Sequence, residues 1–327
     1  MAKTIKIFDV TCMRGDVATG VISDELYANS RHQLKVRVSI TLNAAETLSE
    51  TEKNSIKIVE QSSSTMPAQW VSSKTNTGYT QGLLTPSNMT NQGLRGVLCE
   101  PALDGEEIAS QNSKTVPEVF YFYLSCDDPT LDTKNLVAFI HIDGGSDLTS
   151  GDLLYNKVLT IKPKRPYTID STQLISNPEQ LIYNNPMGKE DEYSVSLFTW
   201  TLPWGLRFFS GSSSYVITGS EYPAGTRIWS TTQNEDPIIC HLLLEAEKID
   251  FIAGQFATLR DFDSTHVTVP YHNNTIRASK AWKDGWYYSE PVTWLDNSLT
   301  IIDIYGCKHA YVLYDENYGH YIRIRNI

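Results

Sequence analysis

The sequence predicts an all-β protein: two mostly antiparallel, Ig-like β-sandwich domains with long polar loops and little helix. Three observations carry that expectation. Short segments alternate apolar and polar residues with a period of two, the pattern of a strand with one wet face. Clusters of Gly, Pro, Asn, Asp and Ser separate those segments. Helical periodicity is nearly absent, and many short strands between turns mean a sandwich or barrel.

The strands follow in order along the chain. "TIKIFDVT" opens it. "QLKVRVSITL" (33–42) sets Leu34, Val36, Val38, Ile40 and Leu42 on one face and Lys35, Arg37, Ser39 and Thr41 on the other. In "LSETEKNSIKIVE", Ser49 stands three residues before Glu52, a capping box. The segment then turns β-branched, so it predicts one or two helical turns followed by a strand. "VFYFYLSC" (119–126), "LVAFIHID" (136–143) and "KVLTIK" (157–162) continue the first half. "EYSVSLFTWTL" (192–202), "SYVITG", "PIICHLLLEA" and "HVTVPYH" continue the second. "DGGSD", "SGSSS", "PAG" and "HNN" are turn clusters between strands. Residues 62–118 and 170–192 are polar and turn-rich and read as long loops or interface arms, with one short turn in 172–185.

The chain has 327 residues, which is long for one domain and suits two of about 150. "IKPKRPYTID" carries two prolines and three basic residues without periodicity and reads as a linker. The expected domains are therefore 1–163 and 164–327. Hydrophobic residues make up 41% of the chain, enough for real cores and too many for a disordered one.

Charge and cysteine content exclude several functions. With 27 Lys and Arg against 38 Asp and Glu, the formal net charge is −11. Such a chain repels phosphate backbones, so no nucleic-acid partner is expected. No apolar run approaches the ~20 residues that cross a bilayer as a helix, so no membrane span is expected. The first residues alternate like a strand and lack an apolar signal core, so the sequence predicts a cytoplasmic protein or one released without a classical signal peptide. Five cysteines without a CxxC pair support neither a disulfide framework nor a zinc ribbon and read as buried free thiols.

Segment 26–42, "LYANSRHQLKVRVSITL", followed by "LSETEKNSIKIVE" and "WVSSKTNTGYTQG", resembles a segment of uncharacterised bacterial β-rich proteins. There Tyr-Ala-Asn-Gly-Arg-x-Gln precedes an alternating strand; here Ser30 stands in place of the Gly. The resemblance covers residues 26–80. It implies a bacterial origin and an Ig-like strand entry, and it brings no catalytic residue.

Clusters that invite chemistry each have a structural explanation. "YGCKHAYVLYDENYGHYIRI" (305–324) gathers Cys307, His309 and His320 with turn carboxylates. It reads as a β-meander, because a zinc site needs three or four convergent ligands. Asp261, Asp263, His266 and His272 have no metal-ligand spacing. "CDDPTLD" and "DGGSD" lack the D-x-D-x-D-G calcium pattern. "RGD" at 14–16 and the sequons at Asn88 and Asn273 are short enough to recur by chance. No nucleophile elbow, phosphate loop or zinc-protease motif is present. The sequence thus predicts no enzyme, no cofactor and no metal.

Aromatic residues are the remaining signal. Eighteen Tyr and seven Trp concentrate in strand-like segments. "FTWTLPWGLRFF" (198–209) and "AWKDGWYY" (281–288) each hold several rings. Aromatics build interfaces because they bring large area with a polar tip. Trp204, Trp282, Trp286, Tyr287 and Tyr288 are the expected binding or interface residues. The predicted function is that of a non-enzymatic bacterial structural or self-assembling protein, a component of an inclusion, filament or particle, whose partner is itself. The alternative is a host-surface or glycan-binding module or toxin.

Overall fold

The computed structural model describes residues 3–14, 17–18, 20–43, 46–84, 116–185, 193–213, 226–229, 238–243, 249–252, 266–269, 274–283, 297–316 and 321–327. The fold is nearly all β, and the chain forms two compact units. Unit 1 comprises Met1–Tyr167 with Ile304–Cys307, and unit 2 comprises Thr168–Asp303 with Lys308–Ile327. The "SYVITG" strand and residues 85–115 of the first polar region lie outside the described residues.

Unit 1 contains β1 (Ile5–Arg14), β2 (Val17–Ala18), β3 (Ser23–Tyr27), β4 (Leu34–Leu42), β5 (Lys57–Glu60), β6 (Trp70–Ser73), β7 (Glu118–Cys126), β8 (Lys134–His141), β9 (Asp147–Thr149) and β10 (Leu159–Lys164). One sheet runs β2-β1-β4-β7-β6 and the other β3-β10-β8-β5, with β9 on β8. Their inner faces share one core. Phe8, Val10, Val36, Val38 and Leu124 come from the first sheet, and Leu26, Ile58, Leu136, Ile140 and Ile161 from the second. That is a sandwich built by period-two burial. The helix α1 (Glu50–Ser55) has the expected capping box of Ser49 and Glu52 and leads into β5.

The polar region 62–118 is not all loop, since it contains β6, which pairs with β7, and two further expectations change in unit 1. Lys162-Pro163-Lys164 is strand rather than linker: β10 pairs β3 in parallel through Lys164↔Tyr27. Thr160 N–H donates to the Ile22 carbonyl, so even-numbered residues of β10 face β3 and Pro163 faces the β8 side. Pairing with β8 ends at Ile161, so no ladder bond is lost at Pro163. Lys164 Nζ lies 2.8 Å from the Glu25 carboxylate. The wet face expected of β4 is also partly closed. Ser39 and Thr41 are each 8% exposed. They are small residues on a central strand beside Asp9 and Ile7 of β1, and Lys35 lies over the Tyr121 ring of β7.

Unit 2 contains β11 (Ile175–Asn185), β12 (Tyr193–Thr201), β13 (Phe208–Ser213), β14 (Thr226–Trp229), β15 (Ile238–Leu243), β16 (Ile249–Ile252), β17 (His266–Val269), β18 (Thr275–Lys283), β19 (Asn297–Asp303), β20 (Lys308–Glu316) and β21 (Tyr321–Asn326). One sheet runs β11-β12-β18-β15-β14, a second β13-β19-β20-β21, and β16 pairs β17. All of these pairs are antiparallel. The polar region 170–192, expected as loop with one short turn, opens with a 3-10 turn at Ser171–Gln173 and then, against expectation, becomes the eleven-residue β11.

Candidate functional site

β11 is an edge strand, hydrogen-bonded among the described strands to β12 alone. Its composition conceals it. Residues 175–181 are all exposed, so no alternation marks a buried face. Ile175 is 52% and Leu181 56% exposed. The ladder shifts register between Asn177 and Gln180, where Pro178 and Glu179 fall. A proline without an N–H fits an edge bulge. Behind the strand lies a groove of ≈ 380 Å³, lined by Ser176–Glu179, Phe198, Trp200 and Tyr321–Arg323. Its two floor rings are covered, Phe198 at 7% and Trp200 at 5% exposed. Tyr321 is exposed, with the Arg323 guanidinium 5.5 Å from its ring centre.

The predicted aromatic residues fall in different places. Trp204 is half-buried in the 3-10 turn Pro203–Gly205 that follows β12. Its backbone has φ 58° and ψ 22°, a left-handed conformation that costs a non-glycine residue about 1 kcal/mol or more. Trp282 lies on β18, in register with Ser194 of β12 and Ile238 of β15. Trp286, Tyr287 and Tyr288 lie outside the described residues.

The cluster at 303–311 resembles acid–base chemistry and is closed to it. Asp303 and His309 are fully buried, with His309 Nε2 at 3.1 Å from Asp303 Oδ2. The Ile169 N–H donates to His309 Nδ1 at 3.0 Å, so the ring proton sits on Nε2 and points at the carboxylate. The Tyr311 hydroxyl donates to the Ile169 carbonyl at 2.9 Å. Burial pushes the Tyr311 phenol above its ordinary range. Both ring nitrogens of His309 are engaged and neither partner meets solvent, so the arrangement holds the Ile169 backbone rather than a substrate. The surrounding strands form the expected meander, β19-β20-β21. His320 lies outside the described residues.

The Tyr-Ala-Asn-Ser-Arg-His-Gln segment is a second hub, in unit 1. Asn29 Oδ1 accepts from the Arg31 N–H at 3.0 Å and the His32 N–H at 2.7 Å. Asn29 Nδ2 donates to the Tyr305 carbonyl at 3.2 Å and lies 3.7 Å from Cys307 Sγ. His32 Nδ1 accepts from the Tyr27 N–H. Gln33 donates to the Thr75 carbonyl and accepts from the Thr77 N–H. Ser30 has φ 60°, a left-handed backbone that Gly would adopt at less cost. Gly306 has φ +74°, and a Cβ on it would lie 2.6 Å from Arg31 Cβ. The segment thus organises 75–77 and 304–307.

The described cysteines Cys12, Cys126 and Cys307 are buried and form no disulfide among the described residues. Burial pushes Cys12 up to about 12 and Cys126 to about 11, far from thiolate chemistry. Among the described residues no group of three or more His, Cys, Asp or Glu could hold a metal ion. None of their helices is long and apolar enough to cross a membrane.

Fold and sites together define an all-β protein of mostly antiparallel sheets. No family model matches the chain, and no curated protein matches it. Among solved structures, the C-terminal domain of the antigen I/II-family protein AspA of Streptococcus pyogenes is similar at 8% identity, over 99% of this chain and 100% of that one, with a TM-score of 0.24. The C-terminal domain of the AgI/II polypeptide BspA of Streptococcus agalactiae is similar at 6% identity, over 98% and 100%, with a TM-score of 0.24. At such TM-scores neither likeness bears on function.

Proposed function

We propose that this chain is a non-enzymatic structural protein of bacterial origin that assembles with copies of itself, and that the edge of β11 away from β12 is a contact. One observation carries the reading: an eleven-residue strand has a single partner strand among the described residues and is exposed on both faces from 175 to 181. A long edge of unpaired N–H and C=O groups is a template for another strand. Ile175 and Leu181 add exposed apolar surface. Glu179 is the strand's one charged residue, so like-charged copies meet there with little repulsion in a chain of net charge −11. The closed Asp303–His309 pair supports a non-enzymatic role, and the bacterial origin rests on the resemblance of residues 26–80.

Sedimentation velocity on the wild type and on an Ile175→Lys/Leu181→Lys double variant tests the reading. Both positions are exposed, so the monomer fold is expected to survive. Loss of the larger species in the variant supports the β11 contact, and unchanged sedimentation of an assembling variant moves the contact elsewhere. A second reading, a glycan-binding or host-surface module or toxin, is favoured by the left-handed Trp204 at the end of β12.

A further inference from the structure

We infer that unit 1 carries a binding site for a small amphipathic carboxylate, of the medium-chain fatty acid class, at the open mouth of its sandwich. The site is independent of the β11 edge. β5 and β6 are edge strands of the two unit 1 sheets. Between them lies a groove of ≈ 400 Å³, lined by Ile56–Val59, Ser64–Met66, Ser72, Lys74 and Phe122. That volume is in the range of small-molecule sites, which are mostly apolar with a few placed polar groups.

The chemistry of the lining selects the ligand. Ile56, Ile58 and Phe122 are buried core residues and supply an apolar floor. Ser72 shares the inward face of β6 with the buried Trp70, while Val71 between them points outward at 57% exposure. The Ser72 hydroxyl oxygen is buried and has no hydrogen-bond partner among the described residues. A buried hydroxyl in that state is costly, and a ligand oxygen would satisfy it. Among the described lining residues Lys57 and Lys74 are the charged ones and none is acidic, in a chain where Asp and Glu outnumber Lys and Arg by 38 to 27. Lys57 Nζ is held at the rim by the Ser64 carbonyl at 3.0 Å and over the Phe139 ring. Lys74 is exposed and able to reach an anionic head. An alkyl tail on the apolar floor, with its carboxylate between the two ammonium groups, uses every one of these features.

Calorimetric titration of the full chain with octanoate, and with octylamine as the same tail carrying the opposite charge, tests the assignment. The expected result is saturable one-to-one binding of octanoate, no comparable binding of octylamine, and at least ~10-fold weaker octanoate binding by Lys74→Glu, with an unchanged melting temperature. A second variant, Ser72→Val, is expected to weaken octanoate and to raise the melting temperature of the free protein, since it removes the unpartnered hydroxyl. Equal binding of the two ligands, non-saturable uptake, or full affinity in Lys74→Glu overturns the assignment.

Discussion

Replacing Asn29 by Ala is expected to be among the most damaging single changes to unit 1. The residue is 9% exposed, and its side chain makes bonds in both directions. Truncation removes the acceptor of the buried His32 N–H and the donor to the Tyr305 carbonyl. The Arg31 N–H belongs to a half-buried residue and can recover part of its loss from water. Each buried polar group left unsatisfied costs ~1–3 kcal/mol, so the two orphaned groups give about 3 kcal/mol. That is a large part of the ~5–15 kcal/mol that holds a domain together. At ~2–4 °C per kcal/mol for a domain of this size, the melting temperature of unit 1 falls by roughly 6–12 °C. The assay is thermal and urea unfolding, with Asn76→Ala as control. Asn76 is exposed and caps one turn through the Gly78 N–H, so its loss is expected within ~0.5 kcal/mol, the range of ordinary surface changes. If Asn29→Ala costs no more than Asn76→Ala, the hub does not organise the segment it touches.

Other outcomes follow from neighbouring contacts. Ser30→Gly relieves the left-handed backbone and is expected to stabilise unit 1 by up to ~1 kcal/mol in urea unfolding, whereas Gly306→Ala, which meets Arg31 Cβ, destabilises it. His309→Phe strips the buried Asp303 carboxylate and the Ile169 N–H of the ring that serves both, and is expected to cost ~3–5 kcal/mol, read as a lower urea midpoint for unit 2. Burial works against the Glu52 carboxylate, but Lys3 and the Ser49 and Asp143 N–H groups outweigh it and hold its pKa below the ordinary value. A lowered folded pKa gives stability that is complete above the unfolded value of ~4.3 and is lost as pH falls through the folded value. Urea midpoints from pH 6 to 2.5 are therefore expected to drop at the acid end, and to drop less in Glu52→Gln.

Residues whose burial follows local periodicity could be read from the sequence. β4, the α1 capping box and the 299–327 meander are of this kind, because a strand with one covered face or a cap three residues away writes its structure into adjacent positions. β11 could not be read, since a strand exposed on both faces has no apolar period and its proline suits only an edge. The basic stretch of β10 was hidden for a related reason: its partner β3 lies more than a hundred residues earlier, and parallel pairing leaves no hairpin signal. The Asn29 hub lay inside the recognised segment, but the Tyr305 carbonyl it binds is 276 residues away. Nor does His309 carry a mark in the sequence of the Ile169 amide that fixes its tautomer, 140 residues distant.

The self-assembly reading is tested most directly by light scattering of the purified wild-type chain across a wide concentration range, with electron microscopy of the largest species. The reading predicts particles that grow with concentration in multiples of the 36.8 kDa chain and have a regular form. A monomer of that mass at every concentration would contradict it.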